Sequence, residues 1–142
     1  MQKRFGSSIL DTAIRLLVPF YLLYAVYVLV HGHYSPGGGF QAGVVLAASI
    51  ILVNMVQGEE ITWGIKKQTA VILASLGTFI YAGIGFIALF FGGDFLNYGV
   101  LPLGDIEPEV RALGTLGIET GVTLGVMGTF IVIFNLLTGR EE

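Results

Sequence analysis

Four long apolar runs, at residues 9–30, 40–56, 69–91 and 112–137, leave this chain few ways to fold. A helix rises about 1.5 Å per residue, so a run of about 20 apolar residues spans the roughly 30 Å hydrocarbon core of a bilayer. The second run, at 17 residues, reaches about 25 Å and sits at the short end of that range. None of the runs alternates strictly between apolar and polar residues, and all exceed the usual length of a strand. A helix also satisfies its own backbone groups in lipid, which an open sheet cannot do. Charged residues make up only 12% of the chain against 54% hydrophobic ones, about half the charge of an ordinary soluble domain. The expected fold is therefore all-α, a four-helix multi-pass integral membrane protein forming one domain over residues 1–142.

Charge and cysteine content narrow the function. Seven basic residues against ten acidic ones, a formal charge of −3, give no basic surface for a phosphate backbone, so nucleic acid is excluded as a partner and the lipid bilayer is the expected surrounding. Without cysteine the chain itself carries no disulfide, iron–sulfur cluster or thiolate metal site. Lys3 and Arg4 resemble the basic start of a signal peptide, but the long following run lacks a small-residue cleavage site and reads as a retained helix. Ser8, followed three residues later by Asp11, is a capping-box pattern at its start. Trp63 stands near the entry of the third run, as an interfacial aromatic does. With four spans, Lys3, Arg4, Lys66, Lys67 and Arg140 share one side and Arg111 alone marks the other, so both termini are expected in the cytoplasm. Glu59-Glu60 and Lys66-Lys67 read as a hydrated connection between spans, and Asp94, Asp105, Glu107 and Glu109 as an outward acidic loop.

Glycine and a few polar residues carry the remaining information. Gly114, Gly117, Gly121, Gly125 and Gly128 recur at intervals of three and four, forming a strip along the last helix that admits close approach by another helix. Glu119 lies two residues from both Gly117 and Gly121 and so faces away from the strip, with Thr115 and Thr123 one turn before and after it. A carboxylate inside a membrane is costly unless paired, hydrated or protonated. Two readings stand: Glu119 borders an ion or proton path or a subunit contact, or it is a structural hydrogen-bonding residue. Arg15 has the same ambiguity, since Asp11 can pair with it across one turn and its side chain can reach the headgroups, while it could also anchor another subunit or influence an ion path.

The stretch His31-Gly32-His33-Tyr34-Ser35-Pro36-Gly37-Gly38-Gly39-Phe40 joins the first two spans. Its glycines permit a tight reversal, and without a Lys-Ser/Thr element it is not a phosphate loop. His31 and His33 are two residues apart, and no further metal ligand stands near them in sequence, so capping, interfacial hydrogen bonding or proton exchange are the readings they support. No Ser-His-Asp or HExxH pattern is present, and no independent active site is expected.

Gly32, His33, Pro36, Gly37, Gly38, Gly39 and Phe40 resemble, in order, the Gly-His-x-x-Pro-Gly-Gly-Gly-Phe signature of the MrpB/MnhB family, a small subunit of multisubunit sodium/proton antiporters. Gly117-Ile118-Glu119-Thr120-Gly121-Val122 is similar to that family's acidic-centred Phe-Asp-Ile-Gly-Val-Tyr segment, with Thr120 as an insertion. The resemblance implies a chain without cofactors of its own, working beside other Mrp-like membrane subunits and assembling or lining a sodium route. Related modules occur in membrane-bound hydrogenases and sulfur reductases, where metal clusters lie on partner subunits, and a purely structural scaffold there is the alternative. In the sodium reading, Glu119, Thr115 and Thr123 supply oxygen or negative field, Arg15 and His33 act on coupling or bracing, and Pro36, Gly37, Gly38, Gly39, Gly117, Gly121 and Gly125 serve turn and packing.

Overall fold

The computed structural model describes residues 8–32, 34, 37–57 and 65–139. Lys3, Arg4, His33, Ser35, Pro36, Glu59, Glu60, Trp63 and Arg140 lie outside the described residues. Among the described residues four helices carry the fold: α1 (Ser8–Val30), α2 (Gly39–Gln57), α3 (Lys67–Phe90) and α4 (Glu107–Leu137), with a 3₁₀ turn at Tyr98–Val100. All four are long and apolar enough to cross a bilayer, and the described residues contain no strand. The protein is a multi-pass, all-α membrane protein.

Helix ends differ from the apolar runs for identifiable reasons. α4 starts at Glu107, five residues before the apolar run, because Pro108 suits the first helical turn and Glu107 and Glu109 complement the positive end of the helix dipole. Glu119 thus stands three turns into α4 rather than two. α2 begins at Gly39, so the third glycine of the run belongs to the helix, and Gly37 and Gly38, at φ of +154° and +146°, precede it in backbone conformations that favour glycine. Both carboxylate oxygens of Asp11 accept from Arg15, one turn further along α1.

α4 is the spine. It packs against α2 on one side and α3 on the other, while α1 lies mainly on α2, giving the spatial order α1, α2, α4, α3. α2 and α3, consecutive in sequence, make no close backbone approach to each other. In lipid the apolar surfaces of two helices gain little by meeting, so association depends on how closely backbones approach. Glycine provides that approach from both sides. Toward α3, a Cβ built on Gly128 would lie 2.5 Å from the Ala70 carbonyl and one on Gly121 3.0 Å from that of Gly77, while Gly117 fits under Ile84. Gly77 in turn lies against the backbones of Gly121 and Gly125. Toward α2 the glycines sit on the neighbour: a Cβ on Gly43 would lie 2.8 Å from the Thr123 carbonyl, and Gly39 lies directly on the backbone of Glu119. These contacts set α2 parallel and α3 antiparallel to α4. Ala47, Ala70, Met127 and Ile131 fill the dry centre between them.

The α3–α4 pair outruns the other two helices. Both α1 and α2 end at the level of Glu119, but α4 continues for another 12 residues, about 18 Å, on that side. A tip covers the extension. Residues 91–106 fold back through Gly92 and Leu96, both at positive φ, and Ala88, Leu101 and Val110 form its small core. The Phe95 ring lies over Gly85 and edge-on to Phe86, Tyr98 covers Gly114, and Arg111 pairs with Glu107 at 2.7 Å while lying against Gly99. Burial and the neighbouring Tyr81 raise the Tyr98 phenol above its usual value, which keeps it neutral in this packing.

Gly77→Ala places a methyl against the α4 backbone and is expected to cost about 1–3 kcal/mol, whereas Gly83→Ala, which meets open space, stays within about 0.5 kcal/mol. Thermal unfolding of the two variants in the same detergent checks the difference.

Candidate functional site

Glu119 and the glycine turn, separated by some 80 residues in sequence, meet in the fold. The Glu119 carboxylate occupies the space that side chains at Gly32 and Gly38 would need: a Cβ on Gly32 would lie 2.5 Å from Oε2 and 2.9 Å from Oε1, and one on Gly38 would lie 3.0 Å from Oε1. Glu119 as a whole is half-buried, with Oε2 withdrawn from the surface. Gly39 seats the Glu119 backbone, so one residue is gripped at both main chain and carboxylate.

The site coincides with the start of α2. The first bond of that helix runs from the Ala42 amide to the Gly38 carbonyl, so the amides of residues 39–41 precede the helical ladder and form its positive end. A negative side chain is favoured there, and more so away from water. The arrangement offers a membrane carboxylate a field that offsets part of its desolvation.

Thr123 ties the two helices together. Its hydroxyl lies 3.0 Å from the Gly39 carbonyl and 2.7 Å from that of Glu119, and it donates its one proton within this pair of acceptors. The residue is buried, so its hydroxyl acts as a brace between the α2 start and the α4 backbone. Thr115 is half-buried one turn nearer the tip and takes no part in that bonding. Thr120, the inserted residue of the acidic segment, donates to the Leu116 carbonyl at 2.8 Å within its own helix.

The other candidate positions divide between separate regions. Arg15 donates from Nε to both oxygens of Asp11 at 3.0 Å, on the exposed surface of α1, with the arginine side chain 63% exposed. It lies 17 residues, about 25 Å along the helix, from Gly32 and so is not brought to Glu119. Gly37 approaches Gln41 and Val28, whereas Gly117, Gly121 and Gly125 face α3. His31 stacks on Tyr27 with centroids 4.3 Å apart, its Nδ1 lying 3.1 Å from the Tyr27 carbonyl.

Three further buried polar residues escape a reading of the sequence: Ser49, which donates to the Val45 carbonyl at 2.8 Å, Asn54 and Asn135. Asn54 and Asn135 are buried in the later parts of α2 and α4, at the same level when the Gly39–Glu119 register is continued along the parallel pair. An asparagine within each apolar run is the signal that could have found them. Between this level and Glu119, Ala47, Met127 and Ile131 close the seam with apolar side chains.

Four membrane helices with a half-buried carboxylate held against a glycine turn define a small multi-pass membrane protein. A family model described as a domain related to the MnhB subunit of Na+/H+ antiporter matches residues 9–132, and the chain belongs to that family. It is 27% identical over 143 residues to a Na(+)/H(+) antiporter subunit of Bacillus subtilis (strain 168), covering 99% of each chain. It is 29% identical over 142 residues to a provisionally named antiporter subunit mnhB2 of Staphylococcus aureus (strain Newman), covering 96% of this chain and 98% of that one.

Thr123→Val is expected to cost about 1 kcal/mol by removing the hydroxyl brace, and Thr123→Ser to retain most of it. Gly32→Ala is expected to cost about 1–3 kcal/mol and to lose part of that penalty when combined with Glu119→Ala, the remainder coming from the Gly38 Cα, which would lie 2.7 Å from the new methyl. A double-mutant cycle on thermal unfolding reads this coupling directly.

Proposed function

We propose that the chain is an accessory membrane subunit of a multisubunit sodium/proton-translocating complex, with the Glu119 seat bordering the sodium route where this chain meets another membrane subunit. The seating of the Glu119 carboxylate in the α1–α2 turn carries the reading. A half-buried carboxylate fixed in position attracts a hard cation, which favours oxygen ligands, whenever it is ionised. The apolar closure of the α2–α4 seam argues for a route along the outer surface of this chain, completed by a neighbour, rather than through this chain alone.

Within this mechanism Glu119 is the group that meets the cation field. Alternation between sodium nearby and a proton on the carboxylate would link the two ions, because each neutralises the same charge. Thr123 holds the seat, since its proton is committed to backbone carbonyls. Thr115, half-buried one turn nearer the tip on α4, would be the hydroxyl that lines the approach. Membership of an antiporter-subunit family implies related membrane subunits as partners, and the basic residues Lys66 and Lys67 support placing the termini side in the cytoplasm.

Glu119→Gln keeps the shape of the side chain and removes its charge. In the complete complex, reconstituted into vesicles, this variant is expected to assemble normally and to slow sodium-dependent proton movement by at least roughly tenfold, equivalent to about 1.4 kcal/mol. Glu119→Asp should fall between the two. Unchanged sodium and proton transport in a fully assembled Gln variant would remove Glu119 from the mechanism. Mass spectrometry of the gently solubilised complex separates the two settings: antiporter subunits alone fit an exchanger, and metal-bearing redox subunits fit a hydrogenase or sulfur-reductase assembly.

A further inference from the structure

The turn that holds Glu119 lies deep within the span of α3 and α4. A Cβ on Gly121 would lie 3.1 Å from the Tyr81 amide nitrogen, which puts Tyr81 close to the height of Glu119. From Tyr81, α3 continues nine residues to Phe90, about 13 Å. This stretch carries no charge, and Phe86, Ile87, Leu89 and Phe90 on it are exposed, so lipid is its solvent. α4 gives the same measure, because no charged residue stands between Glu119 and Arg111, about 12 Å apart along the helix. A hydrocarbon core of about 30 Å that reaches the end of α3 therefore has its midplane near Glu119.

At that depth the α1–α2 turn is polar and open. The described residues of 31–38 are non-helical; His31 and Gly37 are exposed, and Tyr34 is 85% exposed. Irregular backbone does not face hydrocarbon, and at membrane depth it is tolerated where protein buries it or where it lines water. α1 and α2 stop at the turn and α3 lies on the far side of α4, which leaves a step bounded by the α4 face of Glu119 and Thr115. Below the turn, Ala47, Met127 and Ile131 close the α2–α4 seam. We propose that the step is filled by water continuous with the tip side, and that through it Glu119 exchanges a small hydrated cation, sodium or a proton, with that side. Water also offsets the cost of a carboxylate at this depth. The mouth favours cations: Asp94, Asp105 and Glu109 are exposed there, while Arg111, the one basic residue of 90–111, is paired with Glu107. Charge of one sign around a low-dielectric cleft concentrates counter-ions. The identity of the cation rests on the ion reading of Glu119 proposed above, whereas the water-filled step rests on helix lengths and the exposed turn.

The chain has no cysteine, so Tyr34→Cys and Phe86→Cys each introduce one thiol. Phe86 lies nearer the tip than the turn does but faces lipid on α3, 57% exposed. In the complete complex in vesicles, a charged, membrane-impermeant methanethiosulfonate supplied from the tip side is expected to modify Tyr34→Cys at least roughly tenfold faster than Phe86→Cys, because a thiol in water ionises to the reactive thiolate and one in lipid does not. Thr115→Cys should follow Tyr34→Cys, and supply from the termini side should modify all three slowly. A cationic reagent should outpace an anionic one at Tyr34→Cys by at least roughly threefold, and Glu119→Gln should narrow that preference. Equal rates at Tyr34→Cys and Phe86→Cys, or faster modification from the termini side, would overturn the water-filled step. An unchanged charge preference in Glu119→Gln would overturn Glu119 as the seat of the cation. Rapid labelling of Tyr34→Cys beside normal transport in Glu119→Gln would overturn the cation assignment and uphold the water-filled step, so the two fail separately.

Discussion

Close backbone approach along α4 is the constraint on which the other features depend. A bilayer gives no large hydrophobic reward for bringing helices together, so contact must come from packing at short range. The glycines responsible lie on α4 where it meets α3 and on α2 where it meets α4. This division leaves the α2-facing side of α4 free to carry side chains, including Glu119 and Thr123. Had the glycines all belonged to α4, no carboxylate could have occupied that side without pushing α2 away.

The acidic seat follows from the same geometry. Gly39 brings the first turn of α2 onto the α4 backbone, and Gly32 and Gly38 leave the adjacent volume empty of side chains. The carboxylate fills that volume at the positive end of α2, and the Thr123 hydroxyl fixes the register of the two helices beside it. A packing device and a charged site are therefore built from one set of residues. Changes to the turn glycines alter both the fit of α2 and the environment of Glu119, so their effects on helix packing and on the carboxylate are linked physically.

Much of this is legible in the sequence, though unevenly. The lengths of the apolar runs give four helices, and the intervals of three and four place Gly114 to Gly128 on one side of α4 and Glu119 on another, because helical geometry is periodic. Hydropathy puts the start of α4 five residues late, since it stops at Arg111, whereas a helix tolerates Glu107, Pro108 and Glu109 in its first turn. Periodicity does not reveal that the Glu119 side meets the glycine turn, since that depends on the order in which helices pack. Adjacent spans in sequence suggest adjacent spans in space, yet α4 separates α2 from α3. For the same reason sequence spacing leaves Arg15 as eligible as Glu119, and only the packed fold separates them by placing Arg15 on the outer surface of α1, most of a helix length from the seat.

The unequal reach of the helices places the acidic seat at a step in the molecular surface. α1 and α2 stop where Glu119 sits, and beyond that level α4 and the end of α3 continue with a folded tip. A lone four-helix unit of this shape would present one bilayer with spans ending at two different heights, at a cost that grows with each ångström of mismatch. The step opens directly over the α1–α2 turn, so the height at which α1 and α2 end also sets the surroundings of Glu119. Helix length and the electrostatics of the acidic seat are then two consequences of the same geometry.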